Sequence, residues 1–121
     1  MEYVYLASPY SHPEELVREG RFMLACQKAA EYISNGIAVF CPIAHTHHIA
    51  DHMDETARMD FELWMEADLP LVHHAKEVHV LRLEGWEHSR GIRREIEYAR
   101  ERGIPISYIS MEDKPLIGVA A

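Results

Sequence analysis

A chain of 121 residues with 12 basic and 20 acidic side chains has a net charge of −8 at neutral pH, and 48% of it is hydrophobic. This is the balance of one core-forming domain, here expected to span residues 1–121, and it excludes a disordered or collagen-like chain. The acidic balance also argues against holding a nucleic acid polymer by counterion release, so a small-molecule ligand is the better expectation.

Tyr3 to Ala7 is short, aromatic and β-branched and stops at Ser8-Pro9, which predicts a first strand followed by a loop over Ser8 to His12. From Pro13, apolar residues Leu16, Val17, Leu24, Ala29, Tyr32 and Ile33 recur at mostly helical spacing until Asn35-Gly36 supplies a stop. Ile37 to Cys41 is a near-continuous apolar run, predicting a strand covered on both faces. After a His-rich loop, Asp54 to Ala67 reads as a second helix, with Asp68 as the N-cap and Pro70 in the first turn of a short third helix through Ala75. Val78 to Leu83 reads as a strand, Gly85 to Ser89 as a loop, Arg90 to Arg102 as a helix stopped by Gly103, and Ile104 to Ile109 as a strand. The tail from Ser110 carries no assignment.

Cys26 and Cys41 form no C-x-x-C pair and read as reduced core residues. No run approaches the roughly 20 apolar residues of a membrane span, and the N-terminus has no basic region followed by an apolar run. The expectation is a cytoplasmic protein that engages no membrane.

Alternating strands and helices imply a flavodoxin-like, Rossmann-like α/β domain with a parallel sheet of four or five strands, ordered 2-1-3-4 or 2-1-3-4-5, and helices on both faces. Ligands in such sheets sit beyond the carboxyl ends of the strands where the order reverses, here between strands one and three. That rule selects Tyr5 to Ser11 and Glu84 to Glu95. Within the second segment, Arg90, Arg93 and Arg94 crowd a helix N-terminus beside Ser89 and Gly91, as in an anion site; the alternative is surface arginines pairing with Glu97 and its neighbours. Glu95 lies one turn further along and reads as an exposed crevice carboxylate. Tyr5, at the end of the first strand, and Asp68, ahead of the third, can reach the same place. Arg21, two turns into the first helix, can lean back over the loop.

Tyr5-Leu6-Ala7-Ser8-Pro9-Tyr10, then Asp68, then Ser89-x-Gly91-x-x-x-Glu95 followed by Ala99, resemble the nucleoside 2-deoxyribosyltransferase superfamily and its deoxynucleoside 5'-monophosphate N-hydrolase branch. Ser8-Pro9-Tyr10, Pro42-Ile43-x-His45 and Gly85-Trp86-x-x-Ser89-x-Gly91 are similar to a bacterial and phage branch of that superfamily. The resemblance implies cleavage or transfer at the N-glycosidic bond of a nucleoside or nucleotide. Glu95 would be the nucleophile, Asp68 the acid or orienting group, and Tyr5 the hydrogen-bonding partner of Glu95. Substrate binding would fall to Ser8, Pro9, Tyr10, Ser89 and Gly91, with Arg21, His45 and Arg90 beside them. No metal or other cofactor is implied, and the subunits would pair as a homodimer or higher homo-oligomer. The monophosphate hydrolases carry an arginine in the loop after the first strand where this chain has Ser11, so Arg90 or Arg93 would have to supply that charge.

Two rival readings remain at this stage. The run His45-x-His47-His48-x-x-Asp51-His52-x-Asp54 has ligand chemistry for zinc or manganese and would make the protein a metal-dependent phosphohydrolase. The other expectation for this run is a polar loop whose histidines hydrogen-bond over the pocket. A nucleotide-binding sensor without catalysis would use the same crevice, with Glu95 on a sugar hydroxyl. Finally, Met53, Met59, Phe61, Trp64 and Met65 surround much of the second helix, more than one sheet face can cover, and predict self-association.

Overall fold

Four strands, β1 (Val4–Ala7), β2 (Val39–Phe40), β3 (Glu77–Leu81) and β4 (Ile106–Ile109), form an all-parallel sheet in the order β2-β1-β3-β4. The computed structural model describes residues 2–118. Around the sheet lie α1 (Glu15–Ser34), α2 (Pro42–Thr46), α3 (Glu55–Arg58), α4 (Phe61–His73) and α5 (Arg90–Glu101), with single 3-10 turns at Ile49–His52 and Trp86–His88. No helix among the described residues is long and apolar enough to cross a membrane.

Because β2 and β3 flank β1 on opposite sides, right-handed connections send α1 to one face of the sheet and α4 and α5 to the other. The period-two alternation of the strands then fills two cores. Val4, Leu6 and Leu81 pack with Ala25 and Tyr32 of α1, whereas Tyr5, Ala7, Val78 and Val80 pack with Val72, Ile92 and Ala99 of α4 and α5. Every residue of β1 and β3 is buried, as a strand covered on both faces requires. The register aligns Val4 with Glu77, Tyr5 with Val78 and Leu6 with His79.

Three local expectations change. The strand expected over Ile37–Cys41 shortens to Val39–Phe40 and is half-buried on both residues, because β2 is an edge strand paired to β1 alone. The helix expected over Asp54–Ala67 breaks at Met59–Asp60, since two aspartates compete as caps: Asp54 accepts from Ala57 N–H at 2.9 Å and Asp60 from Leu63 N–H at 3.2 Å. Asp68 is therefore no N-cap. It lies buried in the middle of α4, which continues through Pro70 to His73. A proline inside a helix costs about 3 kcal/mol, and here burial of Met65 and Val72 on the same helix offsets it.

The tail without a sequence assignment is anchored as far as Gly118. Lys28 of α1, with its side chain fully buried, donates to the Met111 carbonyl at 3.3 Å and to the Asp113 carbonyl. Gly118 N–H donates to Glu77 Oε2 at 2.6 Å. Glu77 Oε1 lies 2.8 Å from His79 Nε2, and His79 Nδ1 lies 2.5 Å from the Tyr32 hydroxyl. Residues 119–121, part of the same tail, fall outside the described residues.

Candidate active site

Tyr5 points from β1 to the α4/α5 face, and its hydroxyl donates to Glu95 Oε2 on α5. Glu95 is only 4% exposed, so the expected exposed crevice carboxylate is a buried one. Its position on the inner stripe of α5 explains this, because Ile92, Glu95 and Ala99 recur at helical spacing and all three are buried. Asp68, on the inward face of α4, is near enough for its charge to act on both Glu95 and Tyr5. Tyr5, Asp68 and Glu95, far apart in the chain, thus meet across β1, α4 and α5.

The electrostatics follow from burial. Loss of hydration pushes the Glu95 carboxyl up to about 8; the Tyr5 hydrogen bond opposes that rise and the Asp68 charge adds to it. Burial alone pushes Asp68 up to about 6. The Tyr5 phenol is driven well above its ordinary range by burial and then by the neighbouring Glu95. In the free protein the shared proton therefore sits on Glu95 between about 6 and 8, the separation of two acids that marks an acid–base pair.

The loop after β1 runs through Ser8 and Pro9, both buried, to the half-buried Tyr10. The Ser8 hydroxyl is buried and makes no hydrogen bond among the described residues. Arg21 does lean back over this loop: it donates to the Ser11 carbonyl at 2.8 Å, to the Tyr10 carbonyl at 3.4 Å and, across the switch point, to the Glu84 carbonyl at 3.0 Å. Its guanidinium rests where a side chain at residue 85 would be, since a Cβ on Gly85 would come 2.6 Å from Nη2, and Gly85 adopts φ +88°. Arg21 is a strap between the two loops, and among the described residues its partners are carbonyls and no carboxylate pairs with it.

At the start of α5, Ser89 is the N-cap, its hydroxyl oxygen accepting from Ile92 N–H at 3.2 Å with the O–H left to donate. Gly91 leaves ordinary van der Waals space towards Met65 and Ser89. Arg90 is turned aside, its guanidinium 3.9 Å above the Phe61 ring. Arg94 pairs with Glu62 at 3.2 Å, not with Glu97.

The His-rich segment folds into α2 and a 3-10 turn, which spreads its side chains. Among the described residues no three His, Cys, Asp or Glu groups converge as metal ligands. His45 is exposed and edge-on to Phe40 at 5.5 Å. The engaged residue is His47, whose two ring nitrogens each lie 2.7 Å from a partner, the Tyr10 hydroxyl and Glu19 Oε2. Sequence reasoning marked the cluster but not this member, because its partners come from the first loop and from α1. Cys41 is buried, Cys26 is half-buried, and both are free.

The apolar surface expected to wrap the second helix is largely accounted for. Met65 is buried, Phe61 lies under Arg90, and Trp64 donates to the Arg58 carbonyl at 2.8 Å; Met59, at 76%, and Leu63, at 39%, stay exposed. An outer groove of about 460 Å³ runs between α4 and α5, lined by Met65, Leu69, Pro70 and Tyr98 under a rim that includes Glu62 and Arg94, and it does not reach Tyr5, Asp68 or Glu95.

Fold and site together define a Rossmann-like α/β domain whose switch point holds a tyrosine and two buried acids of separated acidity. The family described as domain of unknown function DUF1937 matches residues 2–111, and the chain belongs to that family. No curated protein matches the chain.

Proposed function

We propose that this domain cleaves or transfers the N-glycosidic bond of a nucleoside or nucleotide, ribo or deoxy, through Glu95. The observation that carries the reading is the Tyr5–Glu95 hydrogen bond beside Asp68. With Tyr5 holding Oε2, Oε1 is free to attack C1' of the sugar. The C1'–Oε1 bond forms as the C1'–N bond breaks, and the departing base takes a proton from Asp68. A carboxylate against C1' stabilises the oxocarbenium-like charge and then traps it, as in retaining glycosidases. Water resolves the glycosyl ester in a hydrolase, and a second base resolves it in a transferase. The free O–H of Ser89 is available to the ligand.

Attack requires Glu95 without its proton and departure of the base requires Asp68 with one, so kcat/KM is bell-shaped, rising through about 6 and falling through about 8. The two free cysteines suit a reducing cytoplasm, where free nucleotides are also found. Exposed Met59 and Leu63 suit pairing of two copies as a homodimer, and a monomeric sedimentation profile at micromolar concentration would count against that pairing.

The test is chromatographic detection of free base from a panel of ribo- and deoxynucleosides and their mono-, di- and triphosphates, with and without chelator and an acceptor base. Release that survives chelator and is lost in Glu95→Gln supports the reading. The burial of Glu95 favours one second reading, a nucleotide sensor that binds without turnover, and a nucleotide that raises Tm without base release would select it.

A further inference from the structure

Beside the mouth of the sheet, three polar side chains form a line that the reaction above does not use. Glu19 Oε2 lies 2.7 Å from His47 Nε2, and His47 Nδ1 lies 2.7 Å from the Tyr10 hydroxyl. The His47 ring is stacked on Phe22 of α1 at 3.9 Å with the planes 17° apart, and the Tyr10 ring stands edge-on to it at 5.7 Å. The His47 side chain is 10% exposed. Stacking fixes the ring plane and the two partners fix both nitrogens, so the imidazole is held in one orientation.

Proton positions follow from donor and acceptor chemistry. A carboxylate only accepts, so Nε2 carries a hydrogen toward Glu19. In the neutral ring Nδ1 must then accept, and the Tyr10 O–H points inward, leaving lone pairs outward. In the imidazolium Nδ1 donates, the Tyr10 oxygen accepts, and its O–H turns outward. Tyr10 closes the loop that follows the carboxyl end of β1, where ligands sit in such sheets, and Arg21 ties its carbonyl across to that of Glu84 after β3.

We infer that Glu19 and His47 are positioning residues for the Tyr10 hydroxyl and set whether it meets the nucleobase as a hydrogen-bond acceptor or as a donor. The inference rests on the nucleotide reading above and extends it to base choice. With His47 neutral, the hydroxyl takes a base bearing an amino group; with His47 protonated, it takes a base bearing a carbonyl at the same place. An imidazole is the side chain suited to make that exchange near neutral pH. The other charges around Tyr10 are Arg18 and Glu19 of α1, Asp51 of the 3-10 turn and Arg58 of α3, and His48 stands 4.9 Å from His47 and 3.7 Å from Asp51. All of them except Glu19 remain in every variant below, so an effect confined to the variants does not arise from them.

The experiment is titration calorimetry of 2'-deoxyadenosine and 2'-deoxyinosine 5'-monophosphates, which differ by the amino-for-carbonyl exchange at C6 and the hydrogen it places on N1, at pH 5.5 and pH 8, with base release followed in parallel. The proteins are the wild type, Tyr10→Phe, His47→Phe, which keeps a ring on Phe22, Glu19→Gln, and the Tyr10/His47 double variant. In the wild type the affinity ratio moves about tenfold toward the carbonyl base on going to pH 5.5, the size of one hydrogen bond exchanged. Tyr10→Phe and His47→Phe each flatten that dependence, the double variant is no flatter than either, and Glu19→Gln, which no longer fixes the hydrogen on Nε2, weakens it. A wild-type ratio independent of pH, or the same pH dependence in Tyr10→Phe, overturns the inference. Tyr10→Phe decides the matter even where His47→Phe does not fold. Binding with the expected ratios but no base release removes the glycosidase reading and upholds the positioning role; base release with flat ratios does the reverse. No binding of either nucleotide overturns the inference.

Discussion

Two buried polar groups occupy opposite faces of the same sheet, and they are finished to different degrees. On the α1 face, Tyr32, His79 and Glu77 form a chain that ends on the Gly118 N–H, and nearby Lys28 is capped by two tail carbonyls and Glu31. On the α4/α5 face, Glu95 has one side-chain hydrogen bond among the described residues, from Tyr5, and shares its surroundings with a second acid that burial pushes up to about 6. A buried network with every group satisfied rigidifies a fold. A buried acid pair left short of partners is what a site awaiting a substrate requires. The contrast assigns stability to the first group and chemistry to the second, although both are equally hidden from water.

The largest expected effect that would break this division is at Glu95. Glu95→Gln should lower base release by at least about a thousandfold, the order lost when a nucleophile is removed, with the fold intact by circular dichroism. It should also stabilise the protein in alkali. The folded pKa of about 8 lies above the ordinary glutamate value of 4.5, so the folded state holds a proton that the unfolded state has lost. That contribution to stability is full below about 4.5 and disappears as pH rises through about 8. Glutamine carries no such penalty, so the gain in Tm over wild type should be larger at pH 9 than at pH 5. An equal gain at both would show that Glu95 is not held protonated.

On the other face, deleting residues 112–121 strips Lys28 of the Asp113 carbonyl and Glu77 of the Gly118 N–H. Leaving buried groups unpaired should cost about 2–4 kcal/mol in urea denaturation. A truncated protein of unchanged stability would mean that the tail is not part of the α1-face network.

Tyr5→Phe sharpens the comparison from inside the site. The Tyr5 hydrogen bond lowers the Glu95 pKa, so its loss should move the alkaline limb of kcat/KM to higher pH and reduce kcat about 10- to 100-fold. A lower kcat with an unmoved pH profile would make Tyr5 a packing residue. The smallest effect is expected at Gly85→Ala, where φ +88° and contact with the Arg21 guanidinium should cost about 1–2 kcal/mol, read as a fall in Tm.

Much of the architecture was legible because its signals are local. Tyr3 to Ala7 ending at Ser8-Pro9, the long amphipathic run to Asn35-Gly36, and the helix bounded by Ser89 and Gly103 each carry their own start and stop, and alternation of strands and helices selects a parallel sheet. Expectation and structure part where local signals compete. Asp54, Asp60 and Asp68 all have the chemistry of an N-cap, and Pro70 looks like a helix start; only the packing of Met65, Asp68 and Val72 against the sheet decides that α4 runs through them. The site residues Tyr5, Asp68 and Glu95 were pointed to by the switch-point rule and by the family resemblance, but their burial was not, so Glu95 was expected in an exposed crevice.

What the sequence by itself determined is most of the elements, the parallel sheet, and the switch point where the loops after β1 and β3 must meet, because hydrophobic period and chain punctuation are properties of neighbouring residues; the two-sided burial it assigned to Ile37–Cys41 falls on β1 and β3 instead. Tertiary structure decided the rest: that Tyr5 reaches Glu95, that Arg21 straps Tyr10 and Ser11 to Glu84, that His47 rather than His45 is engaged, and that Lys28 and Glu77 hold the tail. Each of these joins residues from different elements, and the acidity of a carboxyl depends on how much water those elements leave around it, which no stretch of neighbouring residues contains.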